Sequence, residues 1–376
     1  MKFDPKKPYN DLPSLPPNVD IETKEVLKKA IKATRALAEL KGLGETIPNQ
    51  SILVNSLTLQ EAKASSEIEN VITTNDALFR AFTASTTNID SATKEVLRYR
   101  EALWKGFNAL QGRQVLTTNL FVDIVRTIKK NQAGIRNIPG TAVANGVTGE
   151  VIFTKTCQNA PPGRAGSFTP PEGESVIRDK LKNLEDFIHA EDSIDPLIKL
   201  AVIHYQFESI HPFLDGNGRT GRIINILYLV FRGLLELPVL YLSKYIIENK
   251  GEYYRLLRRV TEYADWEPWT LYMLNAVEDT ALFTRERILA IRDLMEKTRL
   301  VAKEKLPGRV YSKELIDLLF RQPYCKIAFL VDEGIASRNI ASNYLNELTK
   351  IRILKREKIG NEFVYLNIPL YELLTK

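Results

Sequence analysis

The stretch Ile210–Arg222, IHPFLDGNGRTGR, constrains this chain more than any other. A His-Pro pair, an acid, two glycines flanking an asparagine, and two arginines stand directly before the apolar run Ile223 to Val230. Upstream, DPLIKLAVIHYQFESI has the pattern of a helix, so the motif reads as a tight connection into a second apolar helix. A calcium EF-loop starting at Asp215 requires an acid or amide at Arg219, a glycine at Thr220 and a glutamate at Ile226, and the sequence supplies none of them. A plain turn accounts for Asp-Gly and Asn-Gly. It leaves unexplained two arginines three apart at the start of a helix whose other face is Ile223, Ile224, Ile226 and Leu227.

A phosphate cradle accounts for the whole pattern. Gly216 and Gly218 let backbone N–H groups approach an anion, and the helix that follows points its N-terminus at the same place. Arg219 and Arg222 share a face and can grip two phosphoryl groups bidentately. Asp215 is an oxygen ligand suited to Mg²⁺ on phosphates, and His211 supplies a base that titrates near neutrality.

HPFLDGNGRTGR resembles the signature of the Fic family, H-P-F-x-[DE]-G-N-G-R-x-x-R, with all nine specified positions matched. The resemblance implies a mainly α fold, a Fic-type helical bundle with a small β-hairpin flap. It also implies transfer of AMP from ATP to a Ser, Thr or Tyr hydroxyl of a protein, with pyrophosphate leaving. In that scheme His211 deprotonates the hydroxyl and Asp215 holds Mg²⁺. Asn217 and the amides around Gly216 and Gly218 hold the α-phosphate, while Arg219 and Arg222 orient the β- and γ-phosphates.

RAGSFTPP resembles the flap and its return, which would bring Gly166, Ser167 and Phe168 to the nucleotide and to a target protein docked on the flap edge. PVLYLSKYIIENKGEYYRLL resembles the segment in which Tyr253 and Tyr254 approach the adenine. Some members carry an asparagine seven positions past the second tyrosine, where this chain has Thr261. The kinase branch of the wider family has lysine in place of the second glycine of the nest, and Gly218 argues against it.

SSEIEN is the second informative stretch. As a capping box it would read Ser66-x-x-Glu69. A helix has already begun upstream at Thr58, where Thr58-Leu-Gln-Glu61 itself fits a capping box, so Ser66 falls inside it. The stretch also matches the family's inhibitory motif, [ST]-x-x-x-E-[GN], at Ser65, Glu69 and Asn70. That resemblance implies a Glu69–Arg222 ion pair that occupies the γ-phosphate clamp, hence self-inhibition. The same carboxylate could position a water for the reverse removal of AMP.

Around these motifs the chain divides into an N-terminal arm and helices over 1–100 with the inhibitory helix at about 58–70, a catalytic core over 101–282, a linker helix over 283–307, and a last unit over 308–376. Helical patterns cover Asp76 to Gln111 and follow the cap candidates Thr117 and Thr118; the short β-prone runs Thr141 to Ala144 and Val151 to Thr154 suggest a hairpin about Asn145-Gly146. The last unit reads as three helices, the third with Ile340, Tyr344, Leu345 and Leu348 on one face, then two strands around Gly360-Asn361. That is a winged helix-turn-helix.

Of the formal net charge of +6, the stretch from Glu296 to Lys376 holds 15 Lys/Arg against 10 Asp/Glu. DNA is therefore a candidate partner, and the alternative function is a DNA-binding transcriptional regulator with a Fic sensor domain. Self-modification and a homodimer are compatible with the family, though no residue specifies either. Only Cys157 and Cys325 occur, so neither a disulfide framework nor a zinc site is expected. The longest apolar run is too short to span a bilayer, and the polar, Pro-rich opening is not a signal peptide; no membrane partner and a cytoplasmic location are expected. His204, His189, Trp266 and Trp269 read as packing residues.

Overall fold

The structure, a computed structural model, describes residues 3–4, 7–45, 50–83, 89–113, 115–132, 134–137, 168–359 and 362–375. The hairpin expected about Asn145-Gly146, the flap residues Gly166 and Ser167, Cys157 and the turn at Gly360-Asn361 lie outside the described residues.

Two helices form the centre, α7 (Pro196–Ile210) and α8 (Asn217–Phe231). Nearly every side chain of both is buried, which explains why neither sequence shows a polar face. Asp195 starts α7 by accepting the N–H groups of Leu197 at 2.8 Å and Ile198 at 3.4 Å, and Pro196 sits in the first turn, where its missing N–H costs nothing. The helix ends at His211, which precedes Pro212 and adopts left-handed backbone angles.

Around this pair pack α1 (Lys24–Glu45), α2 (Gln50–Ile68), α3 (Asn75–Thr83), α4 (Ser91–Arg113), α5 (Thr118–Lys129) and α6 (Glu174–His189). They are joined by α9 (Leu242–Glu248), α10 (Lys250–Tyr263) and α11 (Trp266–Lys305). Thr117 caps α5 as expected, accepting from the Leu120 N–H. The N-terminal arm is stitched on by side-chain amides: Asn183 pairs with both backbone groups of Leu15, and Gln206 donates to the Pro13 carbonyl at 2.9 Å.

Several expectations are corrected. Helix α2 begins at Gln50, so Thr58 lies in its interior and caps nothing; both Thr58 and Glu61 are buried. The pattern from Asp76 to Gln111 is two helices, α3 and α4. The long charged helix expected from Phe283 is the second half of α11, which runs unbroken from Trp266. Its first half is buried and its second is increasingly exposed, so the sequence pattern changes where the backbone does not.

The C-terminal unit contains α12 (Lys313–Phe320), β1 (Tyr324–Cys325), α13 (Ile327–Asp332), α14 (Arg338–Lys350), β2 (Lys355–Ile359), β3 (Glu362–Leu366) and α15 (Ile368–Thr375). The strands form an antiparallel sheet in the order β1-β3-β2, with Ile359 opposite Glu362 and Tyr324 opposite Leu366. The buried face of α14 is Ala341, Leu345 and Leu348; Ile340 is exposed instead. Helix α15, absent from the sequence reading, packs back on α11, and Tyr371 meets Phe79 of α3. Tyr324 Oη donates to Asp76 at 2.5 Å and Arg80 pairs with Glu357, so the unit is seated against the helical body. Among the described residues no helix is long and apolar enough to cross a membrane.

Candidate active site

The motif sits in the turn between α7 and α8. His211, at the end of α7, has φ 48° and ψ 61°. One of its ring N–H groups donates to the Glu208 carbonyl one turn back, which leaves the other nitrogen as the basic one. Burial, with the Arg136 guanidinium beside it, pushes the imidazole well below its ordinary value, so it is neutral at pH 7 and does not titrate near neutrality as its residue type suggested.

Gly216 has φ 86° as the residue that starts α8, a conformation other residues adopt only with strain. Asn217 is buried and spends both ends of its amide on the Phe213 backbone, accepting at 2.8 Å and donating at 2.7 Å. Its side chain therefore shapes the turn that aims the helix N-terminus. Gly218 is needed for close approach: a Cβ there would lie 2.2 Å from Glu69 Oε1 and 2.9 Å from Arg222 Nη1.

Both arginines of the motif are buried. Arg219 pairs with Glu95 of α4 and lies 3.5 Å from Asp215, and its Nε is buried without a hydrogen-bond partner among the described residues. Lys129, on α5, bridges Glu95 at 3.1 Å and Asp215 at 2.5 Å. Burial raises the Asp215 pKa, but the Lys129 ammonium and Arg219 outweigh it and hold the carboxyl below its usual range. Asp215 is thus an ionised, half-exposed oxygen donor at the mouth of an anion site, which fits a Mg²⁺ ion held by one carboxylate and substrate phosphates. Among the described residues no group of three His, Cys, Asp or Glu forms an all-protein metal cage.

Arg222 is held by Ser65 of α2 and by Glu69, which directly follows that helix. Its Nε donates to Ser65 Oγ at 2.7 Å, and its Nη2 donates to the Ser65 carbonyl at 2.8 Å and to Glu69 Oε1 at 3.0 Å. The expected Glu69–Arg222 pair is present. Burial alone would lower the Arg222 pKa; the Glu69 carboxylate, the largest opposing influence, helps hold it above its ordinary value. Asn70 ends α2 with φ 61°, which gives a physical reason for Asn or Gly after the glutamate: both accept left-handed angles readily. Ser66 lies inside the helix and makes no cap.

The tyrosines divide. Tyr253 lies in the core, bonded to His204 Nε2 at 2.8 Å and packed on Trp269, with no face left for a base. Tyr254 is partly buried and faces Glu69, Arg222 and Glu208. Thr261 pairs with the Tyr205 hydroxyl at 2.9 Å. Phe168 packs against Phe3 and Tyr9 of the arm. His189 accepts the Leu116 N–H through Nε2, and Trp269 donates to the Ala201 carbonyl, so both are structural.

Sequence reasoning missed Glu95, Lys129, Arg136, Glu208 and Lys250, and read Glu61 only as part of a helix cap. Glu61 ties α2 to its neighbours: its Oε1 accepts from Tyr99 Oη at 3.0 Å and Ser243 Oγ at 2.5 Å, and its Oε2 accepts from the Ser243 N–H at 2.9 Å. Lys250 donates to the last carbonyl of α2, that of Ile68, at 2.6 Å. Burial, partly countered by Arg222, pushes the Glu208 carboxyl up to about 7. The spacing Glu61, Ser65, Glu69 was the one available signal, a polar stripe at i, i+4, i+8 on one helix face.

Comparison with known proteins places this geometry. Residues 122–229 match the Fic/DOC family, residues 27–108 the Fic/DOC family N-terminal region, and residues 294–370 the C-terminal domain of SoFic-like protein adenylyltransferases. The chain is 36% identical over 117 residues to protein adenylyltransferase fic-1 of Caenorhabditis elegans, covering 30% of this chain and 21% of that protein. It is 39% identical over 79 residues to the probable protein adenylyltransferase aq_aa38 of Aquifex aeolicus (strain VF5), covering 21% of this chain and 24% of that one. The chain thus spans about a fifth to a quarter of the curated relatives it matches. A Fic family protein from Desulfovibrio desulfuricans G20 shares the fold, with a TM-score of 0.56 at 18% identity over 93% of this chain and 98% of that one. With three successive matches along its length and the complete motif at the junction of α7 and α8, the chain belongs to the Fic/DOC family.

Proposed function

We propose that the protein transfers AMP from ATP to a Ser, Thr or Tyr hydroxyl of a protein, and that Glu69 restrains this activity from within the chain. The observation that carries the reading is the turn that joins His211, at the end of α7, to a helix start that buries Arg219 and Arg222. Anions suit this place because the first N–H groups of α8 and two guanidinium groups converge on it.

In this reading the turn amides around Gly216 and Gly218 receive the α-phosphate, and Arg219 and Arg222 orient the β- and γ-phosphates. Asp215 would hold a Mg²⁺ ion, which would supply positive charge to the triphosphate. His211 takes the proton of the incoming hydroxyl, whose oxygen forms the bond to the α-phosphorus as the bond to the bridging oxygen breaks and pyrophosphate departs. Target docking on the flap edge completes the scheme.

Glu69 and Ser65 support the regulatory part. They take the Nε and Nη2 donors of Arg222, so the clamp is closed against a γ-phosphate while α2 stays in place. In the same reading the Glu69 carboxylate orients a water against a protein-bound AMP, which gives a reverse hydrolysis to AMP and the free hydroxyl.

A second reading attaches to the C-terminal unit. Arg338 and Asn339 are exposed in the first turn of α14, and Lys355 and Lys358 on the hairpin, which supports reading the unit as a winged helix that offers basic groups to DNA. The match of residues 294–370 to a domain of adenylyltransferases favours the first reading. DNA binding that weakens steeply with salt would add the regulator role; no binding at low salt removes it.

The deciding experiment supplies α-labelled or γ-labelled ATP with Mg²⁺ to wild type, Glu69→Gly and Glu69→Gly/His211→Ala, with self-modification as the readout. Transfer of α-label in Glu69→Gly that vanishes with His211 is the expected result. Transfer of γ-label instead establishes a kinase, and no transfer at all turns attention to the regulator.

A further inference from the structure

We propose that Arg136 is a positioning residue that sets the direction of the His211 imidazole by clamping the backbone on both sides of it. Arg136 lies in the loop after α5, yet it is only 4% exposed. Its Nε donates to the His211 carbonyl at 2.7 Å, and its Nη2 donates to the Ile210 carbonyl at 3.2 Å and the Pro171 carbonyl at 2.5 Å. Its own N–H donates to the Pro212 carbonyl at 2.9 Å. Three successive carbonyls, of residues 210, 211 and 212, are therefore held by one residue.

The local chemistry explains why a guanidinium stands there. The last carbonyls of a helix lack intrahelical donors and carry the negative end of its dipole. Here they also flank a non-glycine residue at φ 48°, a strained conformation that persists only where its surroundings enforce it. A planar guanidinium reaches these carbonyls from separate nitrogens in a fixed geometry; an ammonium group offers all its donors from one rotatable atom. With the peptides on either side of His211 fixed, and one ring N–H bound to the Glu208 carbonyl, the basic nitrogen has a single direction left. The nearby guanidinium also favours the neutral ring. Arg136 touches no reacting atom, so its action is through His211.

The inference rests on the adenylyl-transfer reading, and its test separates the two. Arg136→Lys keeps the charge and loses the fork; Arg136→Gln loses both. Turnover of α-labelled ATP is measured in the full chain carrying Glu69→Gly, and the His211 pKa is followed by NMR, where the chain's three histidines make assignment by His211→Ala direct. Both variants are expected to lose roughly 10–100-fold in kcat with little change in KM for ATP, the loss typical of a small misplacement of a reacting group. The His211 pKa should rise in Arg136→Gln and stay near wild type in Arg136→Lys. Full kcat in Arg136→Lys overturns the proposal, because charge alone then suffices. An unmoved His211 pKa in Arg136→Gln overturns it as well, as does a fall in kcat that tracks a fall in melting temperature in Arg136→Lys. If Glu69→Gly itself transfers no label, the functional reading fails, while the NMR comparison still decides on Arg136.

Discussion

The Glu69 carboxylate stands 3.0 Å from the Arg222 guanidinium, and the helix that carries it is fastened at both ends of the contact. Glu61 binds the Ser243 backbone two turns before Glu69, and Lys250 holds the Ile68 carbonyl directly before it. The pair is thus a property of how α2 is seated. Glu69→Gln keeps the volume and removes the charge, leaving Arg222 with Ser65 as its firm partner. Labelling from α-labelled ATP is expected to rise about tenfold or more, equivalent to a loss of roughly 1.4 kcal/mol of competition for the clamp. Titration calorimetry should show tighter ATP binding in parallel; unchanged heats and unchanged labelling would remove Glu69 from control of the site.

Gly218→Ala tests the same contact from the other side. The added Cβ would meet Glu69 Oε1 and Arg222 Nη1, both far ends of flexible side chains, so the fold yields by moving them. The melting temperature should shift by a few degrees at most. Because the substitution already displaces Glu69, adding Glu69→Gly should change ATP affinity by less than about twofold, the non-additivity expected of groups in contact. Full additivity would mean that Gly218 and Glu69 act apart.

What the sequence revealed and what it hid follow from the range of the contacts. The turn between α7 and α8 was legible because its chemistry is local: Asp215, Gly216, Gly218 and both arginines fall within eight residues. The cap at Thr117 was legible for the same reason. Thr58 and Glu61 misled because their spacing matches a cap while α2 runs through them, buried on nearly all sides and so without a helical period. Glu95 and Arg136 carried no signal, since their partners lie about 35 to 125 residues away and, for Arg136, are backbone carbonyls that every sequence contains. Tyr253 was placed at the nucleotide by resemblance, but the core claims it through His204.

Glu61 offers a test of seating that leaves the site residues untouched. Its carboxylate is buried and raised in pKa by that burial, though it accepts hydrogen bonds from Ser243 and Tyr99. Glu61→Gln can accept through only one oxygen, and is expected to cost about 1–3 kcal/mol in urea unfolding. The specific expectation concerns coupling. Glu61→Gln should raise labelling in the wild-type background and add nothing in Glu69→Gly, because both relieve one contact. An equal gain in both backgrounds would mean that Glu61 affects activity by a separate route.

Acid stability should report on His204. Burial pushes its imidazole down to about 3, from an ordinary value of 6.5, while Nε2 stays bonded to Tyr253 and the ring lies against Trp269. Well above pH 6.5 neither the folded nor the unfolded chain holds this proton, so His204 contributes nothing to the pH dependence there. Below pH 6.5 the unfolded chain takes up a proton that the folded chain refuses, and stability falls by about 1.4 kcal/mol per pH unit until the folded value is reached. Between about pH 7 and pH 5 the loss from this one group is roughly 2 kcal/mol. His211 adds a loss of the same sign, and Glu208, raised rather than lowered, opposes it. Both are retained in His204→Gln, so the comparison with wild type isolates His204. Urea unfolding should show the variant losing roughly 2 kcal/mol less than wild type between those two pH values. Identical losses would mean that His204 takes up its proton in the folded protein, and that the Tyr253 hydroxyl, as acceptor, stabilises the charged ring.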